Sequence, residues 1–401
     1  MISRIYLECA GCAGHIIARV QVGYEESQPH SFACPHCDSL INITLDLRHP
    51  PNVLCDHDVS CSVSYDRSFE DGKIVNLGVG FTISKSMVNE DFFSPALDFF
   101  MRLEQLKKKG DIPQNGKYFQ IEGYPGAGAI WGALGKACRF HRMGKNGLRD
   151  KHLKSIPDMP SSIGIEEVLA IFIKRFVGAN GRDDAEKLID WAAEIQNKNP
   201  DEFERFLSEY REGMGVERYK EYIEILTMYF AAYHEFDQTL VFARFKAGVD
   251  EDAQATSTGF DKTKMFYGEA FELYGGNLDL LAALNNIFND RKYDQFLNID
   301  LKKYRGSDKG ARCKCLEGTD SLDFLCEEYD SSLRNASHHR WFRLSDDHSR
   351  INFKSGGGGV QNSLSYAEYT YKCNRLMIQI LSMFLLEIEV FGIVDLVRSR
   401  D

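Results

Sequence analysis

The polar and apolar positions of this chain change period along its length. Two short segments near the start alternate every second residue, HIIARVQV from His15 and INITLDL from Ile41. Period two puts successive side chains on opposite faces, so both predict half-buried strands. A strand-like KIVNLGVGFTI follows from Lys73, then a helical ALDFFMRLEQLKKKG from Ala96 and a glycine-rich GYPGAGAIWGALGK from Gly123, read as a turn beside a helix. Beyond residue 161 the spacing becomes three and four. It predicts short helices near Ile165–Phe176 and Asp183–Gln196, then four long ones at about Val216–Lys246, Asp261–Arg291, Asp320–His338 and Ser363–Arg398. In the third, Leu322, Leu325, Cys326, Tyr329, Leu333 and Ala336 fall on one stripe, and Thr319, Asp320 and Ser321 offer N-cap chemistry. Ser355–Gly359, SGGGG, reads as a flexible loop.

Met377–Val397 is long and apolar but carries Gln379, Glu387, Glu389 and Asp395. Each ionised carboxylate costs about 2.5–3.5 kcal/mol in hydrocarbon, so a buried bundle helix is expected rather than a membrane span. Its near-continuous apolar surface exceeds what one side of a bundle needs, which motivates an expected homodimer. The first residues, MISRIYLECAGC, lack the basic and apolar regions of a secretory signal, and a cytoplasmic protein is expected.

The 401 residues are 43% hydrophobic and 27% charged, an ordinary globular composition with room for two or three domains. The net charge of −11 disfavours non-specific nucleic-acid binding by the whole molecule. Two stretches run against that sign, Lys136–Lys154 and Lys302–Lys314, each with a single acidic residue. They could form a phosphate-binding surface or a solvated face.

Eleven cysteines without a secretory signal point to metal or free thiols rather than disulfides. Cys9-Ala-Gly-Cys12 and Cys34-Pro-His-Cys37 are two C-x2-C knuckles 21 residues apart. Each supplies two soft ligands from one tight turn, and together they meet the tetrahedral demand of zinc. A closed four-thiolate site leaves no position for substrate, so structural zinc is expected, with His15 and His36 outside the ligand set. Cys55, Cys61, Cys313 and Cys315 are expected as free thiols. The glycine-rich segment is not a phosphate loop, because Gly135-Lys136 is followed by Ala137 and the required glycine five positions earlier is Ile130.

The remaining candidate is SSLRNASHHRWF, Ser331–Phe342. An arginine and a histidine together can cleave RNA without metal. The ribose 2′-hydroxyl is an internal nucleophile, imidazole exchanges its proton near neutral pH, and guanidinium stabilises the charged phosphorane. Arg and His are equally common as helix-end residues, where the macrodipole favours cations. Arg334-Asn335 followed by His339, late in the third of four helices, resembles the R-x4–6-H motif of the HEPN superfamily. The resemblance covers roughly residues 210–400 and implies a metal-independent endoribonuclease of the toxin or abortive-infection, anti-phage type, usually dimeric. It assigns Arg334 to transition-state stabilisation, His339 to acid–base work and Asn335 to polar support. His338, four residues after Arg334, is the better helical neighbour, so both histidines stay in the candidate set. Arg312 and Lys314 before the motif and Arg340 and Arg343 after it are the expected RNA contacts.

The expected fold class is therefore mainly α, with a C-terminal HEPN-like four-helix bundle, a small N-terminal β zinc ribbon and a mixed α/β middle. The expected division is 1–48 zinc ribbon, 49–160 regulatory or sensing region responding to a phage-derived or host trigger, and 161–401 nuclease. The competing expectation is a non-catalytic module that binds nucleic acid or protein.

Overall fold

The structure is a computed structural model that describes residues 2–23, 26–48, 53–64, 69, 71–78, 82–91, 94–110, 126–157, 163–255, 259–316, 322–337, 342–346, 348–354 and 359–397. These are about 58% helical, with small β-sheets.

The strands are β1 (Ile2–Cys9), β2 (His15–Gln21), β3 (Ser27–Ala33), β4 (Leu40–Asp46), β5 (Leu54–His57), β6 (Cys61–Ser64), β7 (Lys73–Gly78), β8 (Ile83–Ser84), β9 (Ala253–Gln254), β10 (Arg343–Leu344), β11 (Arg350–Lys354) and β12 (Gln361–Ser365). The helices are α1 (Pro95–Lys109), α2 (Ala127–Arg142), α3 (Asn146–Leu153), α4 (Ile165–Lys198), α5 (Pro200–Glu209), α6 (Gly215–Ala231), α7 (Tyr233–Arg244), α8 (Phe260–Phe288), α9 (Leu301–Arg305), α10 (Ser331–Ser337), α11 (Tyr366–Glu389) and α12 (Ile393–Leu396). The chain divides into two compact units. One comprises 1–120, 232–265 and 335–374, the other 121–231, 266–334 and 375–401.

In the first unit, β6-β1-β2-β7 and β3-β4-β5 form two sheets. Their inward positions share one core, with Ile5, Leu7, Ile16, Ala18 and Val20 from one sheet and Phe32, Ile41, Ile43 and Leu45 from the other. The alternation in β2 and β4 therefore reports real faces. β1 carries the same signal at Ile5, Leu7 and Cys9. β3, SQPHSFA, does not, because Gln28 and His30 take buried positions. The unit also has a buried polar knot. Glu235 of α7 is fully enclosed and accepts from the Tyr366 hydroxyl (2.6 Å) and the Gly259 amide (2.6 Å).

In the second unit the fixed point is Glu387 of α11, fully buried. It accepts from the Tyr210 hydroxyl (2.5 Å), the Tyr222 hydroxyl (2.6 Å) and Nε and Nη2 of Arg218 (2.8 and 2.5 Å). Arg218 also donates to Asp279 (3.1 Å), which Arg305 holds from its other oxygen (2.7 Å). Burial and the adjacent carboxylate push both tyrosines well above the ordinary phenol pKa, so their protons stay in these bonds.

Three long helical expectations are corrected. The segment 216–246 breaks at Ala232, whose φ of −122° leaves the helical region, and the bonds to Glu235 fix the part that follows. The expected helix 320–338 shrinks to α10, because the Asp330 carboxylate caps the amides of Ser332 (2.9 Å) and Leu333 (3.2 Å) and starts a new helix there. Leu322, Leu325, Leu333 and Ala336 are all buried, so the stripe marks burial along an irregular path. The fourth helix begins at Tyr366, since Gln361–Ser365 pairs with β11 instead. The glycine-rich segment, in turn, runs as helix from Ala127, with Trp131, Leu134, Cys138 and His141 forming its buried stripe. No helix among the described residues is long and apolar enough to cross a membrane. In α11 no residue from Leu376 to Leu386 is more than 2% exposed, so this apolar surface is already covered within the single chain and is not itself a ground for a dimer.

Candidate metal centre and candidate active site

Each cysteine knuckle sits at the tip of a hairpin, the first between β1 and β2, the second between β3 and β4. The two turns repeat one backbone pattern. The amide of Ala13 donates to the Cys9 carbonyl (2.8 Å) and that of Asp38 to the Cys34 carbonyl (2.9 Å). The Cys9 amide donates to Gly14 (3.1 Å) and the Cys34 amide to Ser39 (2.8 Å). Ala13 and Asp38 both take left-handed φ, 56° and 61°, which turns each chain back into its strand. The four sulfurs lie within 4.8 Å of one another, and the Cys9–Cys37 and Cys12–Cys34 Sγ separations are both 3.8 Å. A tetrahedron with metal–sulfur bonds of about 2.3 Å has edges of about 3.8 Å, so the donor set fits a structural metal. Cys9 and Cys34 are buried while Cys12 and Cys37 are exposed. Burial pushes the Cys34 thiol up to about 12, and hydrogen bonds from Ser39 pull the Cys37 thiol down to about 6. A bound cation would supply the charge that buried thiolates need.

His36 is no ligand but a brace. Its Nε2 donates to the His15 carbonyl (2.9 Å), and its ring lies where a Cβ on residue 14 would fall, 2.5 Å from Cδ2, so glycine is required there. Cys55, Cys61 and Cys313 form no disulfide among the described residues.

The second candidate is on α10. Arg334 is 32% exposed, and its Nε donates to Glu272 of α8 at 2.5 Å, with Nη2 on the same oxygen. Glu272 also holds Lys309 (2.8 Å), and the Arg334 guanidinium lies 6.0 Å from the Phe271 ring centre. Burial alone would raise the Glu272 pKa, but hydrogen bonds and charge from Lys309 and Arg334 bring it below the usual value. Glu272 and Lys309 also border a groove of about 320 Å³ with Glu217, Glu221, Glu224 and Glu269. Sequence spacing carried no sign of Glu272, which lies 62 positions before Arg334.

Asn335 follows Arg334 on α10, half-buried. His338, His339 and Arg340 lie outside the described residues. Lys314 and Arg343 are exposed. Arg312 is only 5% exposed and donates to the carbonyls of Gly275 (2.8 Å), Arg305 and Ser307 (3.4 Å), which withdraws it from any surface. Comparisons with protein-family models, curated proteins and solved structures returned no match.

Proposed function

We propose that the chain is a metal-independent endoribonuclease of the HEPN type, with a zinc ribbon as its N-terminal part. The observation that carries this is Arg334. Its side chain is 32% exposed yet held by Glu272, as a group that must meet a phosphate in a fixed place should be. In the proposed reaction the 2′-oxygen attacks phosphorus and passes its proton to the imidazole of His339. Arg334 stabilises the phosphorane and Asn335 supports it. The bond to the 5′-oxygen breaks, that oxygen takes a proton from the imidazole, and the products are a 2′,3′-cyclic phosphate and a 5′-hydroxyl. Zinc would be held by Cys9, Cys12, Cys34 and Cys37 and would shape the ribbon, with no part in the chemistry.

On this reading the enzyme acts in the cytoplasm as an anti-phage effector, restrained until a phage-derived or host trigger arrives. It works as a homodimer with two Arg–His pairs facing one cleft. Lys314 and Arg343 are the RNA contacts, and light scattering tests the dimer. The decisive assay is cleavage of total RNA in EDTA by wild type and His339→Ala. Cyclic-phosphate ends from wild type alone support the proposal, and equal toxicity of wild type, Arg334→Ala and His339→Ala in cells would sink it.

The acidic groove beside Lys309 favours a second reading. Five carboxylates there repel a phosphate backbone, as a non-catalytic module for a cationic protein partner would. Full function of an Arg334→Ala/His339→Ala double variant would select it.

A further inference from the structure

A cavity of about 560 Å³ lies in the first unit. Its walls include two strand edges. β3 ends one sheet and β7 ends the other. Antiparallel pairs alternate between hydrogen-bonded and non-bonded positions. The Cys34 amide bonds to Ser39, so Phe32, His30 and Gln28 share its bonded parity with β4. Ser31 and Ala33 have the opposite parity, and both line the cavity. Their amides and carbonyls point away from β4, and no described residue pairs with them. Pro29 has the same parity, the place on an edge where a missing N–H costs nothing. On the facing edge, the Asn76 amide bonds to Val88 (2.7 Å), so Asn76 and Gly78 turn away from β2, and both line the cavity. The two edges are tied beside the second knuckle, where Lys73 Nζ donates to the Pro35 carbonyl (2.9 Å).

We propose that this slot receives one extended segment of a partner polypeptide, three to four residues long, that adds a strand to the open edge of β3. Unpaired backbone donors and acceptors in strand register are matched best by another backbone. Pro29 limits the added strand at one end. Lys85 and Asp38 at the slot select side chains of opposite charge, and Val88 and Ile83 offer apolar contact. This inference is independent of the nuclease reading, and its test reads binding alone.

The metal-loaded full-length chain would be panned against a displayed library of random decapeptides. The expected result is enrichment of alternating sequences rich in β-branched residues. The best one, synthesised with a fluorophore, should bind at least tenfold more weakly to Ala33→Pro. N-methylation of one alternate set of its amides should abolish binding, while methylation of the other set should spare it, an arm that needs no variant protein. No enrichment overturns the proposal, as does a binder indifferent to Ala33→Pro, to Lys85→Glu and to both methylation patterns. Thermal stabilisation by 1 mM mononucleotides that Lys85→Glu abolishes, without peptide enrichment, would assign the slot to a small molecule and overturn it equally.

Discussion

Glu387→Ala tests whether the second unit depends on its buried polar centre. The substitution removes four accepted hydrogen bonds at once. It leaves Arg218, 6% exposed, with Asp279 as its remaining anionic partner. Removing one partner of a buried ion pair costs about 3–5 kcal/mol. Two buried tyrosine hydroxyls are left unpaired as well, each worth about 1–3 kcal/mol. These terms share atoms and do not simply add, and Asp279 still pairs Arg218, so the expected loss is about 3–5 kcal/mol, comparable with the lower bound of the stability of a whole domain. Glu387→Gln keeps the shape with one acceptor oxygen and should fall between. Urea unfolding followed by tryptophan fluorescence suits the question, because Trp131 and Trp191 are both buried in this unit. A loss below about 1 kcal/mol for Glu387→Ala would refute the reasoning, for it would mean water or another group satisfies Arg218.

Zinc content by mass spectrometry should be one per chain and fall to near zero in Cys34→Ser. Gly14→Ala should weaken metal retention, since the new methyl meets the His36 ring. His30 should shape the acid limb of stability. Burial lowers its pKa from 6.5 to about 4, so the unfolded chain binds the proton first. Stability is then unaffected above pH 6.5 and lost between 6.5 and 4, by about 3 kcal/mol at about 1.4 kcal/mol per unit; denaturation of His30→Leu against pH should lack that loss. Arg312→Ala should lower stability by about 2–4 kcal/mol through three unpaired carbonyls, while RNA affinity in a filter-binding assay stays within twofold.

The four-cysteine cluster was legible because its chemistry is local. Two C-x2-C pairs need only a hairpin each to meet, and β2 and β4 announced those hairpins by alternation. β3 stayed hidden because its inward positions are Gln28 and His30, polar side chains whose burial only the opposite sheet explains. The stripe from Leu322 to Ala336 misled for a related reason. Periodicity reports which residues are buried, and here a capping aspartate at 330 breaks the helix that the period implied. Arg312 and Glu272 show the limit most plainly. One reads as a surface cation and is enclosed, the other reads as one acid among many and holds Arg334, and both facts arise from residues distant in sequence.

The Glu387 centre also sets a schedule for biosynthesis. Arg218 and its carboxylate are separated by 169 positions. At about 5–20 residues per second, a ribosome makes Arg218 roughly 8–34 s before Glu387. Through that interval Tyr210 and Tyr222 have no anion to close around and Arg218 has Asp279 alone, and the surfaces that α11 buries stay open to chaperones and proteases. A nascent chain released before Glu387 would carry Arg334 but could not complete the scaffold around it, so the fold itself withholds a finished product from incomplete translation.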